Sequence, residues 1–100
     1  MPFDQLFPRS FTASSVRTYA PPASGVYGIS NATEWIYIGE TENIREALLG
    51  HVLEFDASRP GTRPAGFVFE VCDRSQRPGR QQRLVLEYRP VRNSLGPRPR

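Results

Sequence analysis

Two tyrosines ten residues apart are the first side chains in this 100-residue chain whose types and spacing could do chemistry: Tyr27 closes Gly25-Val26-Tyr27, and Tyr37 opens Tyr37-Ile38-Gly39. Glu40, Arg45, Glu46 and the single histidine, His51, follow closely. An imidazole can act as a general base near neutral pH. An arginine fork matches the oxygens of a phosphate. Each residue also has a plainer reading. The tyrosines can be strand aromatics, and His51, which falls on an apolar helix face, reads more simply as a hydrogen-bonded helix residue.

The elements that must carry these side chains follow from periodicity. Gly25 to Ser30 places Val26, Tyr27 and Ile29 among small residues and reads as a strand. Asn31 to Glu34 supplies turn residues, and Trp35 to Ile38 is a second β-rich run, so the pair forms a hairpin. The period then changes from two to 3.6. Ile44, Ala47, Leu48, His51, Val52 and Phe55 line one face of a helix, with Asn43 as its cap and Glu46 three residues later. After a loop rich in Pro and Gly over 58 to 65, Gly66 to Cys72 reads as a third strand. The run RQQRLVLEY then puts Gln81, Leu84, Val85 and Tyr88 on the inward face of a helix that Pro90 ends. A short helix near Ala13 to Thr18 precedes Pro21-Pro22, and residues 94–100 read as a disordered basic tail.

With 38% apolar residues, the chain has enough material for one small core. A lone cysteine, Cys72, excludes an internal disulfide framework, and no apolar run is long enough to span a bilayer. The start, MPFDQLFPRS, carries Asp4 and lacks an apolar stretch, so it does not read as a signal peptide. A soluble, cytoplasmic protein is the expectation. Charge is divided along the chain. Residues 1–58 hold three arginines against seven acids, a balance of −4, whereas residues 74–100 hold eight arginines against Glu87, a balance of +7. Every basic residue is arginine, which makes the C-terminal third a candidate phosphate-binding surface.

The hairpin with its two tyrosine motifs, Thr41, Asn43-Ile44-Arg45 and His51 on the helix after it, and RQQRLVLEYRPVRN after the third strand occur in an order that resembles the GIY-YIG endonucleases. The resemblance covers residues 25 to 93, with 1–24 left as an N-terminal extension. It implies an α+β domain with a three-stranded antiparallel sheet flanked by helices, cutting nucleic-acid phosphodiesters with one divalent ion. In that family two tyrosines handle the attacking water and the scissile phosphate. A helix arginine neutralises phosphate, and a glutamate on the last helix holds the metal.

Carried across position by position, these roles give a mixed result. Tyr27, Tyr37 and the closing Asn93 match. The arginine position, ten residues after Tyr37, is Ala47, and the metal-glutamate position, twelve before Asn93, is Gln81. An amide is a poor ligand for a hard ion such as Mg²⁺. Glu40, directly after Tyr-Ile-Gly, would repel phosphate if it pointed into the site. Losing a phosphate-facing arginine alone costs roughly 10³ to 10⁵ in rate by analogy with arginine fingers.

The resemblance therefore implies a GIY-YIG-like domain with impaired or absent catalysis and a nucleic-acid-binding role, DNA favoured, using Arg45, Arg80, Arg83 and Asn93. No metal is expected at Gln81, and Mg²⁺ or Mn²⁺ would be needed only if the domain is active. One alternative is a divergent active endonuclease in which Glu40, Glu46 or Glu87 supplies the carboxylate and Arg45 or Arg80 the cation. Another is a protein-interaction module with no nucleic-acid role and no membrane contact.

Overall fold

The computed structural model describes residue 3, residues 7–57 and residues 64–91, apart from the side chains of 55–57. Asn93, the tail 94–100 and most of the Pro- and Gly-rich loop lie outside the described residues. The elements run β1 (Arg9–Ser10), α1 (Ala13–Tyr19), β2 (Gly25–Ser30), β3 (Trp35–Thr41), α2 (Ile44–Ala57), β4 (Gly66–Val71) and α3 (Arg77–Tyr88). All strand pairs are antiparallel, and the spatial order is β1-β4-β2-β3. The expected three-stranded sheet is therefore β4-β2-β3 with a fourth, two-residue strand added at the β4 edge. Arg9 and Ser10 have no periodic pattern of their own and become a strand only by pairing with Phe67 and Gly66.

Alternation along the strands separates two cores. On one face Tyr27, Ile29 and Phe67 pack with Ile44 and Leu48 of α2 and with Val16 and Ala20 at α1. On the other, Val26, Ile38 and Val68 pack with Leu84 of α3 and with Phe3. Phe3, Trp35 and Tyr88 stack together, and the Phe3 N–H donates to Tyr88 Oη at 3.2 Å. A β-bulge falls in β3, because Ile29 pairs with Tyr37 and Ser30 with Trp35, leaving Ile36 unpaired. The bulge lets Ile36 and Tyr37 both reach the α2 face.

Capping fixes where the helices begin and end. Asn43 Oδ1 accepts from the Glu46 N–H at 3.0 Å, as the Asn-x-x-Glu pattern predicts for the start of α2. The start of α3 at Arg77, three residues before RQQRLVLEY, was not expected. Pro78 sits in its first turn, where a missing N–H costs nothing. At the other end Arg89 turns left-handed with φ 51 and donates its N–H to the Val85 carbonyl, just before Pro90. No helix among the described residues is long and apolar enough to cross a membrane.

Candidate active site

Tyr27 and Tyr37 sit on neighbouring strands, with Tyr27 opposite Gly39 and Tyr37 opposite Ile29. That diagonal brings their rings to 6.1 Å between centroids on the α2 face. Gly39 makes the arrangement possible. A Cβ there would lie 2.6 Å from Tyr27 Oη and 2.8 Å from Tyr37 Cε2, so both rings occupy space that only a glycine leaves open.

His51 completes a group of three rings, 5.5 Å from Tyr27 and 5.3 Å from Tyr37. Its Nε2 is 2.8 Å from Tyr27 Oη, and its Nδ1 is 3.0 Å from Glu54 Oε1, one helical turn further along α2. Tyr27 is only 4% exposed. Burial pushes its phenol above the usual tyrosine range, and the neighbouring Tyr37, Glu54 and Glu40 push it further. The phenol therefore stays protonated beside Nε2, and the other ring nitrogen, Nδ1, faces the carboxylate of the half-exposed Glu54. These contacts link a buried phenol to a half-exposed carboxylate. Glu54 was missed from the sequence, although its i, i+3 spacing from His51 was a usable signal.

The cations expected near this group are engaged elsewhere. Ala47, one turn before His51, is partly buried against the α2-side core and presents only a methyl group. Arg45 donates from Nε to the Ala20 carbonyl at 2.9 Å, tying the start of α2 to the end of α1. Arg80 forms a two-pronged pair with Glu70, both bonds 2.8 Å. Of the arginines expected to bind nucleic acid, Arg83 is exposed and has no partner among the described residues. It lines a groove of about 410 Å³ with Arg80, Gly79, Gln76 and Cys72. Burial, with Glu70 adding, pushes the Cys72 thiol above its ordinary range, which keeps it out of the nucleophilic thiolate form.

Gln81 makes no hydrogen bond to Tyr27 or Tyr37 among the described residues. Its Nε2 donates to the Ile38 carbonyl of β3 at 3.1 Å. β3 is the last strand of the sheet, and two of its carbonyls are held from outside, Ile38 by Gln81 and Trp35 by the Val91 N–H. Glu40 does not project as a bare charge, because Arg77 Nε lies 3.0 Å from its Oε1.

These residues do not fit a divalent cation. Gln81 offers a neutral oxygen from an amide whose nitrogen is committed to backbone, and Glu40 and Glu70 are each held by an arginine. Among the described residues no three His, Cys, Asp or Glu side chains converge on one point. Hard divalent ions need several oxygen ligands, carboxylates above all.

No family model and no curated protein matches the chain by sequence. Solved structures do match by fold. The magnesium-bound GIY-YIG N-terminal endonuclease domain of UvrC from Thermotoga maritima superposes with a TM-score of 0.57 at 22% identity, covering 75% of this chain and 91% of that one. A point mutant of the same domain, bound to its catalytic divalent cation, gives a TM-score of 0.58 at 21% identity over 75% and 91% of the two chains. The chain has the fold of the GIY-YIG endonuclease domain.

Proposed function

We propose that this chain is a GIY-YIG-fold domain that has lost most or all phosphodiester cleavage and serves to bind nucleic acid, DNA in preference. One observation carries the reading. At the two positions where the family resemblance calls for a phosphate-neutralising arginine and a metal carboxylate stand a core-packed Ala47 and a backbone-bonded Gln81. Three of the five substitutes that the sequence offers are engaged as well, since Glu40 pairs with Arg77, Arg80 with Glu70, and Arg45 with the Ala20 carbonyl. A phosphoryl transition state would meet a methyl group at position 47 and no carboxylate at position 81.

Binding would rest on the exposed Arg83 and the remainder of the arginine-rich C-terminal third. Supercoiled plasmid incubated with the protein and Mg²⁺ or Mn²⁺ should stay uncut, while short duplex DNA binds with an affinity that falls steeply as salt rises. Nicking that disappears in Tyr37→Phe would overturn the loss of catalysis. Absence of binding at low salt would remove the nucleic-acid role and favour a protein-interaction module.

A second reading, residual cleavage by a divergent site, is favoured by the intact chain from Tyr27 through His51 to Glu54. In that reading His51 Nε2 takes the Tyr27 proton as the phenol deprotonates a water. Nicking abolished by His51→Ala would establish it.

A further inference from the structure

We propose that Arg77 takes the place of a divalent cation in this domain, closing the α3 side of the site with an internal guanidinium so that metal is excluded until Arg77 is removed. The inference rests on reading this chain as a GIY-YIG-fold domain with Gln81 at the metal-carboxylate position, and it deepens that reading by saying what replaced the ion.

The sheet register supplies the first part. Val26 pairs with Glu40 on one side and with Glu70 on the other, so the two glutamates and Val26 form a single row across β3, β2 and β4. Val26 belongs to the core beneath α3, which places both carboxylates on the α3 face. Strands are about 4.8 Å apart, so the backbones of the two glutamates are about 10 Å apart, with Val26 of β2 between them. Each is met by its own arginine from the first turns of α3, Glu40 by Arg77 and Glu70 by Arg80.

The second part is the position of Arg77. Arg77 and Gln81 are neighbours at i, i+4 on α3, and their partners Glu40 and Ile38 are two apart on β3. The guanidinium is therefore one helical turn from the residue that should anchor a metal, and beside the nearest carboxylate that could share it. Arg77 is 8% exposed, so its guanidinium lies almost wholly inside the fold. Its Nη1 donates to Ser24 Oγ at 3.2 Å, and Ser24 Oγ donates in turn to the Cys72 carbonyl at 2.8 Å. The Nε N–H makes no directed hydrogen bond even though Glu40 is 3.0 Å away. The Glu40 contact is thus held by charge, the part of the interaction that a metal ion would otherwise supply. A divalent ion entering here would have to sit against a trapped positive charge, and a carboxylate restored at position 81 would be drawn to Arg77 first.

The test measures Mn²⁺ binding to the full chain by calorimetry and by the loss of the free-ion electron paramagnetic resonance signal, with thermal melts beside it. The parent and Gln81→Glu should bind no Mn²⁺ in the millimolar range. Arg77→Met with Gln81→Glu should bind at least about tenfold more tightly than Gln81→Glu alone. Methionine keeps the apolar stem packed. If the double variant is unfolded without metal and folds when Mn²⁺ is added, the inference is supported equally. Mn²⁺ binding by the parent or by Gln81→Glu alone overturns it. So does a double variant that ignores Mn²⁺, whether folded or unfolded. Plasmid nicking is read separately. Nicking by the parent in chelator sinks the loss of catalysis and leaves this inference standing, whereas Mn²⁺ binding by the parent without nicking does the reverse.

Discussion

Tyr27 and His51 are 24 positions apart in the chain, and their Oη and Nε2 atoms are 2.8 Å apart across the boundary between sheet and helix. The contact joins the first tyrosine motif to the middle of α2 and depends on Gly39 leaving room for both tyrosine rings. It also keeps a polar group satisfied beneath a nearly closed surface.

Tyr27→Phe should therefore destabilise the fold by about 1 kcal/mol, because Nε2 loses its hydrogen-bond partner while the ring packing is kept. Urea denaturation of the two proteins at neutral pH measures this directly. An unchanged midpoint would mean that water replaces the phenol without loss.

The same phenol predicts an alkaline limit. Its folded pKa is raised and its unfolded value is near 10, so above about pH 10 the unfolded chain releases a proton that the folded chain retains. Stability present below pH 10 is then lost as pH rises, at up to about 1.4 kcal/mol per unit from this group. Melting temperatures between pH 9 and 11 should fall more steeply for the parent than for Tyr27→Phe. Parallel curves would remove Tyr27 as the cause.

Gly39→Ala should be among the most disruptive small substitutions. The added methyl would enter the space of Tyr27 Oη and Tyr37 Cε2 at 2.6 and 2.8 Å, and both rings are hemmed in by His51. A cost of about 1–3 kcal/mol is expected from overpacking. Gly50, on α2 where an added Cβ would meet nothing outside its own helix backbone within 4 Å, is the control. There Ala should stabilise by up to about 1 kcal/mol through helix propensity.

Much of this arrangement was legible from the sequence because it is periodic or local. The hairpin, the Asn43 cap and the apolar stripe of Ile44, Leu48 and Val52 are set by residues within a turn or two of one another. The two tyrosine motifs were legible as strand runs, but their shared face was not, because only the bulge at Ile36 turns Tyr37 to the side of Tyr27. What else stayed hidden is long-range and charged. Arg77 meets Glu40, and Arg80 meets Glu70, because α3 crosses the sheet face there, and no local pattern encodes that crossing. β1 was hidden for a related reason, since two residues become a strand only when β4 is beside them. Read without these partners, the arginines of the C-terminal third count as a basic surface. With them, Arg77 and Arg80 are largely spent.

Arg80 and Arg83 should accordingly respond in opposite ways. Both line the same groove, but Arg80 is clamped on Glu70 whereas Arg83 is exposed. Arg80→Ala strands a carboxylate that is 23% exposed and should cost about 1–3 kcal/mol of stability. Arg83→Ala should leave the melting temperature within error and weaken DNA binding, lowering the slope of log K against log salt by about one if its guanidinium sits on a phosphate. Fluorescence anisotropy across a salt series, run with thermal melts of each variant, separates the two. If Arg83→Ala binds like the parent while Arg80→Ala loses binding and keeps its stability, then Glu70 releases Arg80 when nucleic acid arrives. Arg80, rather than Arg83, would then make the contact.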